Sequence, residues 1–153
     1  MNTRYNNRTN RIRRETRPGD GMTTERNVSL LFAVNAVINW AVSLPGILDP
    51  TAAAVAFGGT APNYPSVVRL WQGFVFMFGC LFWEASRDVR GKVALLKYNW
   101  IEKTITATVI TLGYFTGDIP ARLMVLIILT NWLWIPFILW GDLAVRKTVM
   151  RKA

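Results

Sequence analysis

Residues 119–140 read IPARLMVLIILTNWLWIPFILW, and Arg122 is the only charged residue among them. A helix needs roughly 20 mostly apolar residues to cross a hydrocarbon core about 30 Å thick. This stretch therefore predicts a transmembrane helix. Residues 28–48, 67–85 and 93–115 predict three more, the last with polar interruptions. The expected fold is all-α: a polytopic membrane protein with a four-helix transmembrane domain over residues 27–145.

Charge is scarce in this chain and unevenly placed. Of 153 residues, 52% are apolar and 18% are charged, yet the net charge is +9. Soluble domains carry about a quarter charged residues, so the composition argues against an ordinary soluble enzyme. Basic residues concentrate in residues 1–26, predicted to be a disordered tail, and in residues 146–153, predicted to be a basic C-terminal segment.

The loops differ in charge according to the side of the membrane they would occupy. If the N-terminus is cytoplasmic, the basic tail, the loop at 87–92 and the C-terminus all lie inside, while Asp49 and Asp118 lie outside. The positive-inside rule then places both termini in the cytoplasm.

Two absences restrict the chemistry that the chain can perform. It has no histidine, and Cys80 is its single cysteine. Histidine-ligated metals, bis-histidine haem and histidine-based acid–base catalysis are therefore excluded, as is an intrachain disulfide. We predict that the protein is not an enzyme, and we predict no metal and no bound cofactor, apart from the quinone or pigment contact considered below.

Several polar side chains interrupt the predicted spans. Counted at 1.5 Å per residue, they fall in one layer of the inner half, on four helices: Asn35, Asn39, Glu84, Glu102, Lys103 and Asn131. Ionisable groups inside a membrane are costly and indicate function, although buried polar groups also hold membrane helices together.

We predict that Glu84 pairs with Lys103, and that Asn39 or Asn131 donates to Glu102. Glu102 and Lys103 are adjacent, about 100° apart around a helix, so each is expected to need a partner on another helix. Interhelical glue is the favoured interpretation of the layer, ahead of a ligand or ion site and of a proton relay. If the third helix began near residue 98, the pair would be almost interfacial.

Two other groups of residues are candidate contact sites. Trp132 and Trp134 lie beside Asn131 and predict an aromatic wall that holds a quinone, a carotenoid or a lipid, or packs on a partner protein. In the tail, Arg11, Arg13, Arg14 and Arg17 predict contacts with anionic lipid or an acidic partner. No nucleic-acid module accompanies them, so nucleic acid is not an expected partner.

Residues 69–103 read RLWQGFVFMFGCLFWEASRDVRGKVALLKYNWIEK. Arg69 lies at the start of the second predicted helix, a glycine lies near its middle, and Ser86-Arg87-Asp88 lies at its end. A lysine lies inside the third predicted helix. This order resembles small bacterial four-helix membrane proteins of the BphX-like and DoxX-like kind. The resemblance covers about a quarter of the chain. It implies a four-helix fold in a prokaryotic inner membrane and little about chemistry, since most members have no assigned biochemical role.

Two functions are consistent with these features. The first is a non-enzymatic subunit or accessory component of a larger membrane complex, in contact with lipids and with a membrane protein partner or further copies of itself. The alternative is a protein that binds or transports a small molecule, a quinone or an ion through the polar layer around Glu102 and Lys103.

Overall fold

The computed structural model describes residues 18–150, with side chains from residue 24 onward, and this part of the chain is helical without strands. The elements in chain order are α1 (Pro18–Leu48), α2 (Pro50–Ala56), α3 (Pro65–Arg87), α4 (Val93–Phe115), α5 (Ala121–Ile127), a π-helical stretch (Ile128–Trp132) and α6 (Ile135–Met150). The last three follow one another as a single rod, Ala121–Met150, called here the C-terminal helix. The predicted all-α class is therefore confirmed for the described residues.

Local sequence signals fix where the helices begin and turn. Pro50 and Pro65 open α2 and α3, where the missing N–H costs nothing. Asp49 caps α2 by accepting a hydrogen bond from the backbone N–H of Ala52 at 2.9 Å. The tight turn after α4 contains Gly117 at a φ of 84°, a conformation that glycine adopts without steric cost.

The main packing interface joins α1 to α3. Its core includes Phe32 and Phe82, whose rings meet edge to face with centroids 6.2 Å apart. Gly79 of α3 lies against α1, because a Cβ atom built there would be 3.1 Å from the carbonyl oxygen of Ala36. The C-terminal helix packs on both α1 and α4 and completes a bundle of four long helices.

One end of the bundle gathers most of its basic residues. Ser29 of α1 donates to the carbonyl of Ser86 at 2.6 Å, and Arg90 pairs with Glu25, so the start of α1 meets the end of α3. Arg146 donates to the carbonyl of Val93 at 3.2 Å, which brings the C-terminal helix to the same end. The described chain therefore starts and finishes at this end, called here the basic end.

Three helices are long and apolar enough to cross a membrane: Thr24–Leu48, Pro65–Arg87 and Ala121–Met150. Their mean hydropathies over the best window are 1.7, 1.4 and 2.1. The fourth long helix, α4, is not among them, because its polar and charged residues lower its hydropathy. The outward faces of all four carry large apolar side chains, as a lipid environment requires.

The helix bounds differ from the sequence-based ones at both ends. The first helix begins at Pro18, within the range 1–26 that was predicted to be a disordered tail. The last extends to Met150 rather than ending at 140, so the segment 146–153 starts within a helix. The predicted contact residues Arg11, Arg13, Arg14 and Arg17 lie outside the described residues.

Candidate functional site

A cavity of about 220 Å³ lies between the four long helices. Apolar residues form most of its wall, among them Ile38, Val42 and Ile110. Every long helix also contributes polar side chains: Asn39, Gln72, Glu102, Lys103, Thr106, Thr130 and Asn131. We call this space the central cavity. One water takes about 30 Å³ of liquid, so the cavity has room for several waters or one small solute.

Lys103 and Glu102 are the charged residues of the central cavity, and they are almost wholly buried, at 2% and 7% exposure. The Lys103 ammonium donates to Asn39 Oδ1 of α1 at 2.5 Å and lies 3.6 Å from Glu102 Oε2. Thr106, one turn further along α4, donates to Glu102 Oε1 at 3.4 Å. A buried charge must be paired, and Lys103 has a counter-ion on its own helix and a hydrogen-bond acceptor on α1.

Two oxygen atoms on residues that line the cavity lack any hydrogen-bond partner. They are Gln72 Oε1 and Asn131 Oδ1, from two different helices. Asn131 uses its amide nitrogen on the neighbouring Thr130 hydroxyl at 2.9 Å, which leaves its oxygen unpaired. Buried polar atoms are nearly always satisfied by protein or ordered water. The cavity wall thus includes two residues whose amide oxygens are unsatisfied.

The structure brings together four of the predicted layer residues and separates two. Asn39, Glu102, Lys103 and Asn131 line the central cavity, as the depth count implied. Asn35 is buried but donates to the Leu31 carbonyl of its own helix at 3.0 Å, and it does not line the cavity.

The predicted partnership of Glu84 with Lys103 is wrong. Glu84 is half exposed near the basic end, where its carboxylate binds the ammonium of Lys92 at 2.7 Å and lies 4.0 Å from Arg87. Glu84 lies one turn before the end of α3, close to Arg87 and Lys92. An ion pair there is more solvated than one in the bundle interior, so it costs less to form.

The expectation that Glu102 and Lys103 cannot face each other is also corrected. The two side chains leave the helix about 100° apart. Both are long enough to reach the same cavity, where they form an ion pair. Asn39 is a hydrogen-bonding partner of Glu102, as predicted, and its amide nitrogen also lies 3.4 Å from the Val75 carbonyl oxygen.

The predicted aromatic wall does not border the polar layer. Trp132 is 40% exposed on the outer surface and donates to the Thr111 hydroxyl at 3.0 Å. Trp134 donates to the carbonyl of Leu129 at 2.9 Å and packs on the core. The π-helical stretch shifts the side-chain positions of an ideal helix, and neither ring is among the residues that line the central cavity.

Two polar positions in the bundle interior were missed by the sequence interpretation. Gln72 lines the central cavity, and a lone amide in an otherwise apolar run could have indicated it. Asp142 is 4% exposed in the C-terminal helix. Its signal was the spacing to Arg146, since residues four apart share a helix face.

Asp142 and Arg146 form an ion pair within α6, and both also contact α4 near the basic end. Its carboxylate accepts from Arg146 Nε at 2.6 Å and from the Trp100 indole at 3.3 Å. Arg146 also reaches the carbonyl of Val93. This group explains why the last helix stays ordered beyond its apolar stretch.

Replacing Arg146 by methionine is expected to lower the free energy of unfolding by about 1.5 kcal/mol, because it removes a hydrogen bond to a buried carboxylate. The value is at the lower end of the usual range since the arginine side chain is 33% exposed. Lys147→Met, at the exposed next position, should change little. Unfolding by sodium dodecyl sulfate in mixed micelles measures both, and equal stability of the two variants would contradict the prediction.

Within the described residues, no group of three or more histidine, cysteine, aspartate or glutamate side chains is placed to hold a metal ion. Cys80 lies on the exposed outer face of α3.

No family model, curated protein or solved structure matches the chain. The BphX-like and DoxX-like resemblance therefore stays a prediction, and function has to be argued from the cavity itself.

Proposed function

We propose that this chain is a four-span membrane protein that binds a small uncharged solute in the central cavity. Hydrogen-bond donors of the solute would face Gln72 and Asn131. The observation that carries the proposal is the pair of unsatisfied amide oxygens, Gln72 Oε1 and Asn131 Oδ1, on residues around one cavity.

The pattern of burial supports α4 as the fourth span. Its charged pair points inward at low exposure, whereas Ile105, Val109 and Leu112 are more than half exposed on its outer face. Ionisable residues within a membrane bundle almost always face its interior or a cavity. A helix with this pattern can cross the bilayer despite its modest mean hydropathy.

The charge distribution supports a cytoplasmic basic end. That end carries most of the described cations: Arg26, Arg87, Arg90, Lys92, Lys97, Arg146 and Lys147. The opposite end carries only Arg69 and Arg122 among the described residues. By the positive-inside rule both described termini would be cytoplasmic, and a prokaryotic inner membrane is the location we propose.

The electrostatics of the cavity favour an uncharged guest. Glu102 and Lys103 cancel each other in charge, so the site has no net charge for an ion to neutralise. The ammonium of Lys103 would repel a cation, and the unpaired oxygens would repel an anion. A neutral molecule that carries hydroxyl or amide N–H groups satisfies the acceptors without a charge penalty.

The accessory-subunit hypothesis remains a prediction with less support. Exposed tryptophan and aliphatic side chains are what lipid alone demands of a membrane bundle. No feature of the described surface favours a protein partner over lipid.

Saturation-transfer NMR on the purified protein in deuterated micelles tests the proposal, with acetamide, N-methylurea and ethylene glycol as probes. We expect saturation transfer to at least one probe in the wild type, and about tenfold weaker binding in Gln72→Leu, which removes one acceptor.

Thr104→Val is the matched control. Thr104 lies on α4 and donates to the carbonyl of Trp100, but it does not line the cavity. Its variant should bind like the wild type. Equal saturation transfer in the wild type and in folded Gln72→Leu would refute the proposed site, as would the absence of transfer to all three probes.

A further inference from the structure

A second cavity of about 230 Å³ lies between α3 and α4. Its wall is almost entirely apolar and includes Phe74, Phe78, Ile101 and Ile105. The two helices are joined by a short loop but pack loosely on each other, because α3 makes most of its contacts with α1. We call this space the lateral groove.

The lateral groove and the central cavity share one border. Trp71, Val75, Glu102 and Thr106 line both spaces. Glu102, which is paired with Lys103, is thus a residue of both walls. A molecule that filled both spaces would place its polar atoms in the central cavity, towards Gln72 and Asn131.

The groove opens on the outer surface of the bundle. Trp71, Phe74 and Ile105 are 44%, 49% and 55% exposed. In a bilayer this surface meets lipid tails, so a guest would enter from the membrane rather than from water.

From this continuity we infer that the solute is an amphiphile, with a small uncharged head that bears a hydroxyl or amide donor and with an apolar chain. The head occupies the central cavity and donates to the amide oxygen of Gln72, while the chain lies in the lateral groove. This inference rests on the proposed function and names the class of its ligand.

Head-group chemistry separates this ligand from other membrane amphiphiles. A phosphate head would bring a negative charge to the unpaired oxygens, and the cavity holds no net positive charge to offset it. Quinone oxygens only accept hydrogen bonds, so they do not complement a set of acceptors. An alcohol or a primary amide supplies the missing donor.

The experiment uses the full chain in phosphatidylcholine nanodiscs and a dodecanol probe with a photoreactive diazirine in its chain. Cross-links are mapped by mass spectrometry. We expect labelling at Phe74, Phe78 or Ile105 that 1-dodecanol displaces at least about tenfold better than dodecyl methyl ether, which lacks the donor. Val75→Phe, at the shared border, should abolish this labelling.

Met77→Phe is the control, because Met77 is exposed on the same helix and lines neither space. It should be labelled like the wild type. Equal displacement by the alcohol and the ether would overturn the inference, since the groove would then hold any lipid chain. If the small polar probes bind through Gln72 but dodecanol labels no groove residue, the inference fails and the proposed function stands. If neither class binds, both fail.

Discussion

Lys103→Met is expected to lower the free energy of unfolding by about 3–5 kcal/mol, the usual cost of removing one partner of a buried ion pair. The loss comes from Glu102, which would be left 7% exposed with a hydrogen bond from Thr106 but no counter-ion. Asn39 Oδ1 would lose its donor at the same time. Titration with sodium dodecyl sulfate in mixed micelles, followed by tryptophan fluorescence, measures the change.

A second substitution identifies the cause. Adding Glu102→Gln to Lys103→Met removes the stranded charge, so the double variant should recover a large part of the loss. Lys97→Met is the matched control, because Lys97 is exposed on the same helix, and its effect should stay within about 0.5 kcal/mol. A double variant no more stable than Lys103→Met would mean that the ion pair is not what the lysine stabilises.

Gly79→Leu is expected to destabilise the fold by about 3 kcal/mol, the upper part of the range for overpacking. A Cβ atom at this position would lie 2.6 Å from the Trp40 indole nitrogen and 3.1 Å from the Ala36 carbonyl oxygen. The indole can rotate away, but the backbone oxygen cannot, so α1 and α3 would have to separate. The same unfolding titration measures the effect.

Gly73→Leu provides the comparison on the same helix. Nothing lies within 4 Å of a Cβ atom built at Gly73. Leucine is also a better helix former than glycine by up to about 1 kcal/mol, so this variant should be neutral or stabilising. Similar losses at Gly73 and Gly79 would contradict the close approach of α1 and α3 at Gly79.

Sequence reasoning recovered the helices because hydropathy acts locally. Apolar runs and helix-breaking prolines are properties of short segments, and they located the four long helices. Depth along a helix is also local, since each residue adds 1.5 Å. The depth count therefore placed Asn39, Glu102, Lys103 and Asn131 at one level, and the cavity contains all four.

Pairing could not be read from the sequence in the same way. Glu84 was predicted to pair with Lys103 because the depth count placed both residues in one layer, yet it binds Lys92. A flexible side chain near a helix end binds the closest partner in space. The rotation of the C-terminal helix was misjudged for Trp132 and Trp134, because the π-helical stretch is set by packing rather than by composition.

The sequence by itself determined the helical class, the scarcity of charge within the long helices and the exclusion of histidine chemistry, because each depends only on which residues are present and in what order. Only the tertiary structure decided which polar groups meet, that Gln72 joins them, and that an apolar groove ends at Glu102. These features depend on the rotation and spacing of helices far apart in the chain. Such geometry arises from packing between surfaces and has no local signature.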